Sequence, residues 1–292
     1  MPFLLISGVF VVEGAQPDGD SVRFRPDDPT LWDRVGGPHR VKRNASGAAQ
    51  LRLDGIDSLE THYTPRHGTR THQPLPLARA AAAELLAWLG FTGVVRDANE
   101  TVTSADQAGV PGFILTRGAD LHGRCVAFAG RGASPGSAGT EMFVDVALLR
   151  LTLNHHQLAT GLAYPTFYRS LFPALRAELA AVATAAATAP TPLGVWAADA
   201  TTSGAAITTP TSLFDDVVML PKLFRRLADY LALGDGDLSL DGFPAFLAQA
   251  ADRFFVVSTG HSTTGLDAIT VIDGPTVRLT HPPTDLVFDE KV

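Results

Sequence analysis

The chain has 292 residues, a length that is long for one small domain and natural for two. A hydrophobic content of 46% with 18% charged residues is ordinary for a globular protein that buries a real core. The single cysteine, Cys125, excludes an internal disulfide framework and suggests a reducing compartment. The N-terminal residues lack a basic segment and a small-residue cleavage site, and no apolar run is long enough to span a bilayer. We therefore expect a cytoplasmic protein that does not engage a membrane.

The formal net charge of −7 is unevenly distributed along the chain. Residues 200–292 contain 6 Lys and Arg against 12 Asp and Glu, a net charge of −6. Residues 1–199 contain the remaining 17 Lys and Arg and 18 Asp and Glu, a net charge of −1. The acidity therefore belongs to the C-terminal third, and the two parts of the chain differ chemically.

The N-terminal part of the sequence has β character. Apolar or alternating stretches at residues 3–12 and 21–25 flank the turn-forming residues 17–20, which indicates a hairpin. The polar residues 26–47 are rich in Pro, Gly, Asn and Ser and predict an extended loop. The pattern then predicts a strand over residues 50–56.

Helical and strand patterns alternate in the middle of the chain. Residues 77–89 have helical spacing and end at Gly90, a favourable residue for terminating a helix. Short strands are expected at residues 114–116 and 124–129, on either side of a turn. The alanine-rich residues 172–187 predict a second long helix.

The remaining residues predict a linker and a further folded part. Residues 197–212 are rich in Ala, Thr, Ser, Gly and Pro and are the best linker candidate. Helical periodicity follows at residues 213–233 and 243–251, and short strands are expected at 254–257, 268–272 and 276–280. The first helical segment carries an apolar stripe, which needs a surface to cover it and consists of Leu213, Val217, Leu220, Phe224, Leu227 and Leu231. We expect a small α/β subdomain packed against the side of the preceding domain, with a homodimer contact as the second choice.

Three segments carry carboxylates and arginines of the types that phosphodiester hydrolysis needs. They are Asp-Gly-Asp-Ser-Val at residues 18–22, Arg-Leu-Asp-Gly-Ile-Asp-Ser-Leu-Glu at 52–60 and Asp-Leu-His-Gly-Arg at 120–124. A hard cation prefers carboxylate and carbonyl oxygens as ligands. A guanidinium group can donate two parallel hydrogen bonds to two oxygens of one phosphate. A further carboxylate can orient or deprotonate the attacking water. Each segment alone is weak evidence, because an isolated Asp-Gly-Asp is far more typical of an ordinary turn and an isolated arginine on a strand is typical of a solvated residue.

In order and spacing, the three segments resemble the signature of the staphylococcal nuclease (thermonuclease) family. The resemblance continues in Gly-Leu-Ala at residues 161–163 and Leu-Gly-Val-Trp at 193–196, so that it covers about residues 4–199. It implies an α+β fold, a five-stranded OB-type β-barrel with packed helices, to which a smaller C-terminal α/β subdomain is added. The expected organisation is a nuclease domain at 1–199, a linker at 200–212 and an acidic subdomain of unknown function at 213–292.

The resemblance also implies a role for each matched residue. Asp20 and Asp57 would bind Ca²⁺ or another divalent cation through their carboxylates, and Ser58 would bind it through its backbone carbonyl. Glu60 would act as the general base or position the water, and Arg52 and Arg124 would hold the phosphate and stabilise the transition state. The expected activity is an endonuclease acting on DNA and RNA, with nucleic acid as substrate and 3′-phosphate ends as product.

The sequence departs from the family pattern at residues that flank the nucleotide. Leu121 and His122 stand where the family often has Lys and Tyr, and Phe167 and Tyr168 stand one residue away from the family's tyrosines. We expect His122, Phe167 and Tyr168 to contact the substrate, with altered base and phosphate contacts.

Two other classes of function compete with the enzyme. A catalytically weak barrel of this type would bind nucleic acid or protein without cutting it, and the near-neutral barrel and acidic tail favour that alternative because most nucleic-acid binders are basic. A structural or assembly role rests only on the unassigned C-terminal part. The five acidic and arginine positions favour the enzyme.

Overall fold

The computed structural model describes residues 2–234 and 236–290, so that residues 1, 235, 291 and 292 lie outside it. Its strands are, in chain order, β1 (Phe3–Val11), β2 (Arg23–Pro26), β3 (Ala49–Leu53), β4 (Ile56–Asp57), β5 (Val95–Arg96), β6 (Val102–Ser104), β7 (Val110–Ala119), β8 (Cys125–Arg131), β9 (Glu141–Met142), β10 (Tyr164–Pro165), β11 (Phe167–Tyr168), β12 (Ala205–Ala206), β13 (Arg253–Val256), β14 (His261–Thr264), β15 (Thr270–Asp273), β16 (Thr276–Leu279) and β17 (Leu286–Phe288). The α-helices are α1 (Leu75–Leu89), α2 (Val146–Leu149), α3 (Leu153–Ala159), α4 (Pro173–Ala187), α5 (Pro221–Leu231) and α6 (Phe243–Ala250).

Five strands of the N-terminal part close into a barrel. Strand β1 pairs antiparallel with both β2 and β7, β7 pairs with β8, β8 runs parallel to β3, and β3 returns to β2. Closure removes the free edges that an open sheet would expose, and β9 adds only a short pairing to β1. The expected mixed α+β fold with a five-stranded barrel and helices is therefore confirmed, and the strand order is consistent with an OB-type barrel.

The barrel interior and the helices around it share one apolar core. Side chains that alternate along the strands point inward and are almost fully buried, among them Ile6, Phe10, Leu51, Leu53 and Ile114. Helix α1 contributes Leu85, Leu86 and Leu89 to the same core and ends, as predicted, at Gly90 with a positive φ of 108°.

Asn154 fixes helix α3 against the barrel. Its side chain is fully buried, its Oδ1 accepts from the backbone N of Ala129 at 3.0 Å, and its Nδ2 donates to the backbone oxygens of Asp54 and Ala127. Buried amides need such partners, because an unsatisfied one costs about 1–3 kcal/mol. The contact therefore fixes the end of β3, where the segment containing residues 52–60 leaves the barrel.

The C-terminal third forms a second apolar core that includes residues of the N-terminal part. Phe224, Phe243 and Phe254 are fully buried in it, together with Leu59 and Tyr164. Strand β11 pairs in parallel with β17, which joins a four-stranded sheet ordered β11–β17–β13–β14. The two parts of the chain therefore share both a core and a sheet.

Residues 200–212, predicted as a linker, are folded in the structure. Thr201 is fully buried and its hydroxyl accepts from the backbone N of Leu220 at 2.9 Å. Ala205 and Ile207 are buried, and β12 pairs with β16. The longest exposed stretch of this segment is residues 208–211. The division of the chain into autonomous domains stays a prediction, because shared packing and independent stability are different properties.

Most of the elements expected from the sequence are confirmed, and two expectations are wrong. The polar stretch at 26–47 contains a 3-10 helix, Pro29–Arg34, because Leu31 and Trp32 are buried against the barrel. The helix expected over 213–233 is interrupted: a short π-helical turn covers Ser212–Asp216, and α5 begins only at Pro221, because the segment between them is extended and Val218 bridges to Asp199. Among the described residues, no helix is both long and apolar enough to cross a membrane.

Candidate functional site

Strand β3 and the loop after it bring three of the predicted residues to one place. Leu51 and Leu53 point into the barrel, so the residue between them, Arg52, lies on the outer face. Gly55 adopts a positive φ of 79°, which turns the chain out of β3 and into β4, where Asp57 pairs with Tyr164.

The turn at residues 18–20 packs directly against this loop. The backbone N of Leu53 donates to the oxygen of Asp20 at 2.8 Å, and Gln157 Nε2 donates to the oxygen of Gly19 at 2.7 Å. A Cβ placed on Gly19 would lie 2.6 Å from the Cβ atoms of both Ser58 and Ala81. The close approach requires glycine, and it holds Asp20 beside Ser58 and Asp57.

Arg52 is held by a tyrosine from the far end of the barrel part. Its Nη2 donates to the hydroxyl of Tyr168 at 3.2 Å, and its guanidinium lies 5.1 Å from the centre of that ring. Burial alone would lower the pKa of Arg52, but Tyr168, Asp57 and Asp20 outweigh it and raise the pKa above its ordinary value. Arg52 is therefore a permanent positive charge in this site.

Arg124 lies on the same outer face as Arg52. The parallel pairing of β3 with β8 places Arg52 opposite Val126. Arg124 precedes Val126 by two residues, so its Cα atom lies about 8 Å from the Cα atom of Arg52. Its Nε donates to Asp120 Oδ2 at 2.7 Å. Although burial raises the pKa of Asp120, Arg124 and, more weakly, Arg52 hold it below its usual range.

The three residues expected to contact substrate lie in different environments. Tyr168 faces the site, as described above. Phe167 lies in the apolar core with 1% of its surface exposed, so its ring is not accessible to a substrate. His122 is exposed at the tip of the turn that precedes Arg124. Phe167 is inside because successive residues of β11 point to opposite faces.

The carboxylates of the site form a largely buried acidic cluster, which we define as Asp18, Asp20, Asp57 and Glu60. Burial raises the pKa of Asp20 well above its ordinary value, and the negative charges of the other three raise it further. Burial also raises the pKa of Glu60, to about 7, with Asp18 and Asp57 adding to the effect. A carboxylate with this pKa can accept a proton near neutral pH.

The sequence did not predict the cation that pairs with this cluster. Arg225, from helix α5, donates through Nη1 to Asp57 Oδ1 at 3.1 Å and to Glu60 Oε1 at 2.6 Å, and through Nη2 to Asp57 Oδ2 at 2.7 Å. Burial raises the pKa of Asp57, but Arg225 outweighs it and the net shift is downward. The only sequence signal was the run of cations in Lys222, Arg225 and Arg226 within an otherwise acidic third.

The donor set suits a hard cation, but it is not arranged around one. Asp20, Asp57 and the backbone carbonyl of Ser58 supply the oxygen ligands that Ca²⁺ prefers. Within residues 2–234 and 236–290, however, no three His, Cys, Asp or Glu side chains are placed to hold a metal ion. Arg225 already engages both oxygens of Asp57 and one of Glu60.

Comparisons with known proteins add no assignment. No protein-family model matches the chain, and a search of curated proteins finds no significant match.

Proposed function

We propose that the chain is a phosphodiester hydrolase, a metal-dependent nuclease of the staphylococcal nuclease type. The observation that carries the proposal is the convergence of Asp20, Arg52, Asp57 and Glu60 with Tyr168 in one partly buried site. These residues come from three segments far apart in sequence, and four of them stand where the family signature has its acids and arginine. The closed five-stranded barrel supports the same proposal, because such barrels often bind oligonucleotides.

The side chains present can perform the steps of phosphodiester hydrolysis. Arg52 binds a phosphate oxygen and, with Arg124, stabilises the negative charge that builds up in the transition state. Glu60 orients the attacking water and accepts its proton, for which its raised pKa of about 7 is suited. Asp20, Asp57 and the backbone carbonyl of Ser58 would hold Ca²⁺, which would supply Lewis-acid polarisation of the phosphoryl group.

The proposed substrate is DNA or RNA, and the proposed setting is the cytoplasm. The C-terminal third is proposed as a subdomain that completes the site through Arg225. Its net charge of −6 disfavours long polyanions through like-charge repulsion. Short or single-stranded substrates are therefore expected to be cut faster than long duplexes.

A cleavage assay tests the proposal directly. The full-length protein is incubated with plasmid and with single-stranded DNA and RNA, in Ca²⁺ and in chelator. We expect cleavage in Ca²⁺, 3′-phosphate ends, and loss of cleavage with chelator. Arg52→Ala should lower the rate by at least a hundredfold, because it removes fixed charge stabilisation. Absence of cleavage on every substrate, by a folded protein, would reject the hydrolase.

The contacts of Arg225 favour one alternative, a barrel that binds nucleic acid or protein without cutting. A guanidinium paired with Asp57 and Glu60 neutralises the groups that catalysis requires. Fluorescence anisotropy with a labelled oligonucleotide separates the two functions. Binding in chelator without cleavage in any divalent cation would favour the binding module over the enzyme.

A further inference from the structure

The contact between Arg225 and the acidic cluster joins the two parts of the chain at the centre of the site. The side chain of Asp57 is 3% exposed and that of Glu60 is 15% exposed, so both charges are largely removed from water. A bidentate guanidinium on one carboxylate, with a further bond to the second, is a strong arrangement of charge-assisted hydrogen bonds. Arg225 therefore performs the neutralisation that the resemblance to nucleases would give to a metal.

Helix α5 holds Arg225 at a fixed position. Its apolar side is buried in the second core, and the next residue, Arg226, pairs with Asp252 at 2.7 Å. One turn further on, Asp229 accepts from the hydroxyl of Tyr63 at 2.8 Å. The contact with Tyr63 secures the helix to the loop that follows Glu60, and the contact with Asp252 secures it to the segment before β13. Any release of the carboxylates therefore comes from rotation of the Arg225 side chain, 25% of which is exposed and has access to solvent.

A guanidinium and a divalent cation cannot both use these oxygens favourably. Calcium binds carboxylate oxygens at about 2.3–2.6 Å, which would place it within about 5 Å of a guanidinium bonded to the same carboxylate. Two positive charges at that distance repel each other strongly in a partly buried site. Arg225 pairs with Asp57 and Glu60 of the acidic cluster, so the oxygens of Asp18 and Asp20 stay beside it as further donors for a cation.

We propose that Arg225 and a divalent cation compete for Asp57, and that displacement of Arg225 also frees Glu60, so that Arg225 sets the affinity of the site for the metal. The proposal rests on the proposed function, and it assigns to the C-terminal third a specific effect on that function. Metal binding displaces the guanidinium toward solvent, and at low metal concentration the carboxylates return to Arg225. The site is then active in cleavage only above a threshold concentration of divalent cation.

Calorimetric titration of the full-length protein with Ca²⁺ alone tests the competition without any substrate. Arg225→Gln removes the competing charge while keeping a side chain of similar length. We expect it to bind Ca²⁺ at least about tenfold more tightly than the wild type, because ligand charge controls the affinity of such sites. Arg226→Gln is the matched control, since it removes one charge from the next position and leaves Lys222 to pair with Asp252. Its Ca²⁺ affinity should equal that of the wild type.

A second variant keeps the test decisive if Arg225→Gln does not fold. Arg225→Lys retains the charge but cannot bond both oxygens of Asp57 and also reach Glu60. We expect an affinity for Ca²⁺ between those of the wild type and Arg225→Gln. Equal affinities in the wild type and a folded position-225 variant, or no Ca²⁺ binding by either, would overturn the competition.

The proposed function is judged separately, by cleavage of DNA at saturating Ca²⁺. Cleavage with equal affinities in all variants rejects the role of Arg225 and keeps the nuclease. Tighter binding by Arg225→Gln with no cleavage by any variant keeps the competition and rejects the nuclease.

Discussion

The guanidinium of Arg225 donates to both carboxylate oxygens of Asp57, at 3.1 and 2.7 Å, across 168 residues of sequence. This contact makes the candidate site a product of both parts of the chain. The barrel part supplies the acids and Arg52, and the C-terminal third supplies the cation that neutralises them. The properties of the site therefore depend on how firmly the two parts are joined.

The first prediction concerns Glu60. Glu60→Gln keeps the shape of the side chain but removes its ability to accept a proton, so we expect cleavage to fall by about 10²–10⁴-fold. The protein should remain folded, because the amide oxygen still accepts from Arg225. Rates are measured under single-turnover conditions, with circular dichroism as the check on folding. Glu13→Gln, at an exposed turn, is the control and should cut at the wild-type rate. An undiminished rate in Glu60→Gln would remove Glu60 from the mechanism.

Local sequence patterns predicted much of the barrel and of its acids. Alternating apolar residues identified the strands, and the spacing of Arg52, Asp57 and Glu60 along one strand and loop was enough to place them together. The partner of these acids was not predictable, because Arg225 reaches them through tertiary packing. No periodic pattern in the sequence around Arg225 distinguishes it from other charged residues. A charged residue on an amphipathic helix is usually solvated, so its pattern gave no reason to single it out.

Two further features of the structure were not predictable, for the same physical reason. Phe167 and Tyr168 are adjacent in a two-residue strand, which is too short for alternation to show which ring points inward. The composition of residues 200–212 is typical of a linker, yet Thr201 and Ile207 are buried because neighbouring segments cover them. In both cases the outcome depends on residues distant in sequence.

The second prediction concerns the pH dependence of stability at Asp54. Burial raises the pKa of this carboxyl from about 3.8 to about 6, with Arg117 and Arg52 opposing the shift. The folded state therefore binds a proton more tightly than the unfolded chain, and the resulting stabilisation is complete below about pH 4 and lost as the pH rises through about 6.

Asp54→Asn should remove this part of the pH dependence. Urea unfolding of the wild type and the variant at a series of pH values measures the difference. Relative to Asp54→Asn, the wild type should lose about 1–3 kcal/mol of stability between pH 4 and pH 6, and the difference should be constant at higher pH. Parallel stability curves for the two proteins would show that Asp54 titrates normally in the folded state.

The third prediction concerns the packing that holds Asp20 in place. Gly19→Ala adds a Cβ at 2.6 Å from the Cβ atoms of Ser58 and Ala81, so the turn must move away from the loop. We expect a loss of about 1–3 kcal/mol in the free energy of unfolding. Cleavage should also weaken, because Asp20 moves with the turn.

A glycine-to-alanine change elsewhere in the barrel provides the comparison. A Cβ on Gly118 would lie 3.6 Å from its nearest neighbour, the backbone oxygen of Gly36, which is an ordinary van der Waals contact. Gly118→Ala should therefore lose less stability than Gly19→Ala and keep the wild-type rate of cleavage. Equal effects of the two substitutions on stability and on cleavage would mean that Gly19 is not specifically required beside Ser58.

The last prediction concerns the junction of the two parts. Residues 208–211 are the longest exposed stretch within the segment 200–212, so a protease of broad specificity such as subtilisin should first cut there. The fragments should nevertheless stay associated, because β11 pairs with β17 and because Leu59 and Tyr164 lie in the second core. Denaturing electrophoresis should show two fragments, while size-exclusion chromatography of the nicked protein should give one peak at the position of the intact chain.

Addition of urea should separate the two fragments in the same transition that unfolds the barrel, since exposing the second core leaves Leu59 and Tyr164 without cover. Fragments that elute apart in native buffer, with the barrel still folded, would show that the C-terminal third is an independent domain and that its contact through Arg225 is weak.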